Sequence, residues 1–122
     1  MPIQILIVDN DALSREVLKA WLDDVDYIVD ETDSGELALK MTASQHYDVV
    51  FMNMRISDVG SPEVAHRIRI QEYNSQLEST TKIIAVCDRY PKSKRYNWQH
   101  SGFDGSIGKP IQEKDIMRAL DV

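Results

Sequence analysis

Polar or reactive side chains follow four apolar segments of this sequence. They are Asp9, Asn10 and Asp11, then Asn53, then Cys87, and finally Lys109 beside Pro110. A carboxylate can hold a cation or accept a hydrogen bond, an ammonium group can pair with an anion, and a thiol can react as its thiolate. Without further information, Asp9 and Lys109 are a plain ion pair or solvated loop residues, and Cys87 is a small buried apolar residue.

Signatures of common enzymes are missing from the sequence. The five glycines are not grouped as in a phosphate-binding loop or a nucleophile elbow. The three histidines, His46, His66 and His100, do not have the spacing of metal ligands. We therefore expect no catalytic residue, no bound metal and no enzymatic activity.

The elements that must position the polar residues alternate between strand and helix. Short β-branched runs predict strands, and apolar residues spaced by three and four predict helices. The predicted strands are 4–8, 27–31, 48–52, 82–86 and 105–107, and the predicted helices are 12–22, 36–43, one from about 62, 91–100 and 113–120. Asn10 or Asp11 is the expected N-cap of the first helix. This order predicts an α/β fold with a doubly wound parallel sheet, whose chemistry lies at the carboxyl ends of the strands.

Length and composition are those of one globular domain spanning 1–122, because 122 residues with 43% hydrophobic and 28% charged side chains can bury one core. A net charge of -6 disfavours binding to nucleic acid by the domain as a whole. A single cysteine excludes an internal disulfide, and no apolar run approaches the length of a membrane span. We expect a cytoplasmic domain without membrane contact.

Five segments resemble, in order and at family spacing, the motifs of response-regulator receiver domains. They are Ile5-Leu6-Ile7-Val8-Asp9, the run 47–55 around Asn53, Ile83-Ile84-Ala85-Val86-Cys87, Gly102-Phe103-Asp104, and Lys109-Pro110-Ile111. The run 15–19 and the last two segments particularly resemble receivers of hybrid sensor histidine kinases. The resemblance implies a flavodoxin-like (βα)5 fold with strand order 2-1-3-4-5, and a cis peptide bond before Pro110.

The resemblance also implies a phosphorylation switch in two-component or phosphorelay signalling. In that switch an acidic cluster binds Mg²⁺, an aspartate takes the phosphoryl group, and a hydroxyl residue and a lysine contact it. Asp9 and Lys109 match this pattern. The departures are Asn10 for the principal metal-binding acid, Asn53 for the nucleophile, Cys87 for the hydroxyl residue, and Ser106 for an aromatic switch residue.

Each departure has a chemical consequence. An amide cannot form an acyl phosphate, so Asn53 cannot replace the nucleophile. Asp9 and Lys109 together carry no net charge, which leaves little attraction for Mg²⁺, although Asp11 could permit weak binding if it turned inward. A thiol donates hydrogen bonds poorly, so Cys87 would hold a phosphate less well. We expect Asp9, Lys109 and Asn53 to form a hydrogen-bonded cluster that serves structure.

The sequence thus predicts an atypical receiver, or pseudo-receiver, that acts without phosphorylation at Asn53 as a protein-interaction or regulatory module. The expected partners are a histidine kinase, a phosphotransfer domain or an output domain, with a homodimer through the face 89–121 as a further option.

Three other hypotheses stay open. The first is an ordinary phosphoacceptor receiver with an engineered Asp-to-Asn change at 53, although the departures at Asn10 and Cys87 count against it. The second is a nucleic-acid or ligand-binding module that uses the basic, aromatic segment 89–100. The third is weak Mg²⁺-dependent phosphotransfer onto Asp11 or Asp58, which we do not favour because neither is expected to point into the cleft.

Overall fold

The computed structural model describes residues 2–54, 58–75, 80–87 and 102–121. Its strands are β1 (Ile3–Val8), β2 (Tyr27–Thr32), β3 (Val49–Asn53), β4 (Lys82–Cys87) and β5 (Gly105–Gly108). Its helices are α1 (Ala12–Trp21), α2 (Gly35–Ser44), α3 (Ser61–Ser75) and α4 (Glu113–Ala119). The five predicted strands are confirmed, and so are four of the five predicted helices. The remaining predicted helix, at 91–100, lies outside the described residues.

All four strand pairings of the sheet are parallel, and the strand order is β2-β1-β3-β4-β5. This is the doubly wound order that was predicted, with β3 at the centre between β1 and β4. The central strands are buried on both faces because helices cover both sides of the sheet, which explains their continuous apolar sequences.

Side chains alternate between two hydrophobic cores, because successive residues of a strand point to opposite faces. Leu6, Val50 and Ile83 lie in the core beneath α2 and α3, which contribute Ala38 and Val64 among others. The opposite core lies beneath α1 and α4, and it contains the following residues: Ile5, Phe51, Ile84, Leu18 and Ile116. The sheet is therefore fixed from both sides.

Local signals set the helix starts. The Asp11 carboxylate accepts a hydrogen bond from the Leu13 amide and caps α1, which selects Asp11 over Asn10 as the N-cap. Ser34 caps α2 through the Leu37 amide. Pro62 lies in the first turn of α3, where a missing N–H costs no helical hydrogen bond. The predicted cis bond is confirmed between Lys109 and Pro110.

The buried strands should dominate stability. We expect Leu6→Ala, at a fully buried position of β1, to lower the free energy of unfolding by about 2–5 kcal/mol, because it removes apolar contacts and leaves a cavity. Leu13→Ala is the matched control, since Leu13 is 72% exposed. Urea denaturation of both variants measures the difference, and equal losses would contradict the assigned core.

Candidate functional site

The candidate site lies at the carboxyl edge of the sheet, where β1 and β3 end side by side. The register pairs Val8 with Met52, so the next residues, Asp9 and Asn53, emerge as neighbours. Both side chains are buried, with relative exposures of 5% and 6%. A buried polar group must find hydrogen-bond partners, since leaving one unsatisfied costs about 1–3 kcal/mol.

Asp9 and Asn53 satisfy part of that need by bonding to each other. The Asn53 Nδ2 group donates to Asp9 Oδ1 at 2.9 Å, and the backbone amide of Asp11 donates to the same oxygen at 2.9 Å. A carboxylate only accepts hydrogen bonds, so the NH₂ group of Asn53 must be the part that faces it. The contact is one that an aspartate at position 53 could not make as a carboxylate.

Lys109 lies close to this pair. Its Nζ is 3.9 Å from Asp9 Oδ2, at the outer limit of an ion pair, and donates a hydrogen bond to Ser14 Oγ at 3.0 Å. The structure thus brings Asp9, Asn53 and Lys109 together, with Ser14 beside them. Asn53 is hydrogen-bonded to Asp9, and Lys109 is within ion-pair distance of Asp9. Ser14 could not be predicted from the sequence, because only the tertiary fold brings two residues 95 positions apart into contact.

Asn10 and Asp11 do not join the cluster. Both are exposed, and the Asp11 carboxylate is used at the start of α1, where it accepts from the Leu13 amide and from the Ser14 hydroxyl. The inward rotation of Asp11 that would give a second carboxylate is not present. Of the three residues of the expected acidic pocket, only Asp9 is placed in the cleft.

Arg15 anchors the backbone of Asp9 from α1. Its guanidinium donates to the Asp9 carbonyl oxygen at 2.6 Å and to Glu31 on β2 at 3.0 Å. Glu31 also pairs with Lys19 at 2.7 Å. The hydrogen bond from Lys19, followed by that from Arg15, lowers the pKa of Glu31 below its usual value despite partial desolvation. These bonds hold the loop after β1 in place.

Cys87 and Ser106 occupy the remaining positions that the sequence singled out. Cys87 is the last residue of β4 and is buried, and its carbonyl oxygen accepts from the Lys109 amide at 2.9 Å. Ser106 is half-buried on β5 and pairs in register with Ala85. The basic segment 89–100 lies outside the described residues.

The donor set of the cleft is a poor match to Mg²⁺. This ion prefers several hard oxygen ligands, usually with one or two carboxylates. The cleft offers the Asp9 carboxylate, with the Lys109 ammonium beside it, and Asn53 turns its NH₂ group toward Asp9. Within the described ranges, no group of three or more His, Cys, Asp or Glu side chains could hold a metal ion.

Asp58 is a second residue whose role the sequence did not reveal. It lies in the loop between β3 and α3, yet its carboxylate accepts from the Ser34 hydroxyl at 2.6 Å and from the amides of Gly35 and Glu36 at 2.9 and 3.2 Å. The Ser34 hydrogen bond, then those of the two amides, lowers the pKa of Asp58 far below its usual value. Asp58 therefore points to α2 rather than into the cleft.

Comparison with known proteins agrees with the fold and the motifs. Residues 5–121 match the family described as the response regulator receiver domain. The chain belongs to this family. The resemblance inferred from the sequence is confirmed over nearly the whole chain.

Relatives of this receiver domain include both response regulators and hybrid kinases. The chain is 25% identical over 114 residues to the transcriptional regulatory protein ResD of Bacillus subtilis, covering 93% of this chain and 45% of that protein. It is 28% identical over 120 residues to hybrid signal transduction histidine kinase L of Dictyostelium discoideum, covering 96% of this chain and 7% of that protein. The chain thus spans less than half the length of each.

Solved receiver structures share the fold. A CheY-like receiver domain from Methylobacillus flagellatus superposes with a TM-score of 0.80 at 25% identity, covering 98% of this chain and 97% of that one. The receiver domain of a sensor histidine kinase from Pseudomonas aeruginosa PAO1, with a magnesium ion in its active site cleft, gives 0.81 at 24% identity, covering 97% and 93%. No helix among the described residues is long and apolar enough to cross a membrane.

The Asn53–Asp9 hydrogen bond should contribute to stability. We expect Asn53→Ala to lower the free energy of unfolding by about 1–3 kcal/mol, because Asp9 loses a buried donor. Asn10→Ala is the matched control, because Asn10 is exposed and the change should be within about 0.5 kcal/mol. Chemical denaturation of both variants gives the comparison, and a loss as small as the control's would show that the bond is dispensable.

Proposed function

We propose that this receiver domain does not accept a phosphoryl group at position 53 and acts as a protein-interaction module of a two-component system held in one signalling state. The observation that carries the proposal is the buried Asn53 side chain, which donates to Asp9 at the carboxyl end of β3. An amide is no nucleophile toward a phosphohistidine, so the acyl phosphate of a switching receiver has no acceptor there. No catalytic residue is assigned.

The charges of the cleft support the same conclusion. Asp9 and Lys109 balance each other, and the hydrogen bond between Asn53 and Asp9 joins the two side chains without a cation. A phosphorylation switch needs an input that has a different free energy in each state. We propose that this cleft binds neither the metal ion nor the phosphoryl group that would supply such an input.

An apolar stripe on α1 supports binding to a protein. Leu13, Val17 and Trp21 lie one helical turn apart and are 72%, 46% and 43% exposed. Leu13 and Val17 also line a cavity of about 270 Å³ together with Pro110 and Ile111, beside the cleft. Adjacent exposed apolar side chains of this size are typical of binding surfaces. A histidine kinase, phosphotransfer or output domain in the cytoplasm is the partner class we propose.

Three further points belong to the proposal, on the homodimer, on phosphotransfer and on nucleic acid. A homodimer would use the face 89–121, of which the structure describes 102–121. The phosphotransfer alternatives lose support from geometry, because Asp11 caps α1 and Asp58 is bonded to α2. We propose no nucleic-acid contact, because the chain carries a net charge of -6.

The direct test is exposure of the domain to beryllofluoride or acetyl phosphate with Mg²⁺, followed by amide NMR. We expect no shifts at Asp9, Asn53 or Lys109 in the parent chain, since residue 53 offers no carboxylate. The Asn53→Asp variant, tested in parallel, distinguishes two cases. A response in the variant would mean that the amide alone blocks a competent site, as the engineered-residue hypothesis requires. No shifts in either protein would mean that features of the cleft other than residue 53 also prevent phosphorylation. A response in the parent would refute the proposal.

The variant should also show a characteristic pH dependence. Asn53→Asp places a second carboxyl group beside the buried Asp9 carboxylate, so repulsion raises the pKa of the introduced carboxyl group in the folded state. Such a group stabilises the fold at low pH, and the stabilisation is lost as pH rises through the folded pKa. Relative to the parent, the free energy of unfolding of the variant should fall by about 1.4 kcal/mol between pH 4 and 8 for each unit by which the pKa is raised. Denaturation at several pH values measures this loss.

Asn74→Asp is the control for the added charge, because Asn74 is exposed on α3. Its stability should follow the parent's pH profile closely. If Asn53→Asp also followed that profile, the two side chains would not be in contact in solution.

A further inference from the structure

A single carboxylate connects two of the loops at the carboxyl edge of the sheet. Asp58, in the loop between β3 and α3, accepts three hydrogen bonds from the start of α2, which lies 22 to 24 positions earlier in the chain. One bond comes from the Ser34 hydroxyl and two come from backbone amides, those of Gly35 and Glu36. A local sequence signal does not explain this contact, since Ser34 already supplies the N-cap of α2.

The first turn of α2 offers hydrogen-bond donors that a carboxylate such as that of Asp58 can accept from. The first amides of a helix have no partner within the helix, and the N-terminus carries a partial positive charge. Ser34 satisfies the Leu37 amide, and Asp58 satisfies the amides of Gly35 and Glu36. Together the two side chains accept hydrogen bonds from amides that have no partner within the helix. Ser34 does so from the loop after β2, and Asp58 does so from the loop after β3.

The loop that carries Asp58 is also attached at both of its ends. The Met54 amide donates to the Val86 carbonyl oxygen at 3.0 Å, and the buried Ser61 hydroxyl donates to the Asn53 carbonyl oxygen at 2.5 Å. The Asp58 contacts add a third attachment within the loop, and this one joins the loop to α2. Because only residues 59 and 60 separate Asp58 from Ser61, a shift of Asp58 would be transmitted through the Ser61 hydrogen bond to the backbone of Asn53.

We propose that Asp58 is a latch that fixes residues 58–60, just before α3, to the first turn of α2, and so sets the conformation of the Asn53 backbone through the Ser61 hydrogen bond. The latch is made by contacts within the chain, so it operates without a ligand in the cleft. It also holds whether or not residue 53 accepts a phosphoryl group, and its test is therefore separate from the test of the proposed function.

Hydrogen exchange at α2 gives the first test. In Asp58→Ala, the amides of Gly35 and Glu36 should exchange about two- to thirtyfold faster, the range expected for loss of a helix cap. Asp58→Asn keeps the size of the side chain and one carbonyl oxygen, so its effect should be intermediate. Asp33→Asn is the matched control, because Asp33 is an exposed acid beside the same helix and should leave exchange unchanged.

The second test follows the cleft. The side-chain amide resonances of Asn53 should shift or broaden in Asp58→Ala and stay in place in Asp33→Asn. Ser34→Ala combined with Asp58→Ala should show less than the sum of the two single effects on exchange, because the residues share a hydrogen bond. Unchanged exchange at Gly35 and Glu36 would overturn the latch, and unchanged Asn53 resonances would overturn its connection to the cleft.

Discussion

The parallel sheet buried on both faces is the constraint on which the rest of this receiver domain depends. Burial on both faces requires apolar central strands, and parallel pairing aligns their carboxyl ends at one edge. That edge places Asp9 and Asn53 next to each other in an environment where unpaired polar groups are costly. The hydrogen bond between the two side chains is thus a consequence of sheet geometry acting on the residue that follows β1 and the last residue of β3.

The chemistry of the cleft depends on the type of residue at one position. A carboxylate beside Asp9 would add a negative charge that needs a cation, whereas the Asn53 amide supplies a donor and leaves the charge of the cleft balanced by Lys109. The fold is common to receivers, so the proposed difference in function lies in the site. A protein-interaction module needs a binding surface rather than a reactive side chain. Helix α1 carries an exposed apolar stripe close to the cleft.

Contacts around the cleft come from elements that are distant in sequence. Ser14 and Arg15, both in the first turn of α1, bond to Lys109 and to the Asp9 backbone, while Asp58 bonds to the start of α2. Each contact joins two loops or a loop and a helix. Together they attach the loops that follow β1, β2, β3 and β5 to one another or to a neighbouring helix, through side chains of the domain itself.

The sequence by itself determined where the five strands and four of the helices lie along the chain, because apolar periodicity and helix-capping residues are local properties. The family motifs then identified Asp9, Asn53 and Lys109 as neighbours. Only the tertiary structure decided that Ser14 contacts Lys109 and that Asp58 bonds to the first turn of α2. These outcomes depend on the packing of helices and loops across the sheet edge, and the spacing of residues along the chain does not predict contacts between residues so far apart in the sequence.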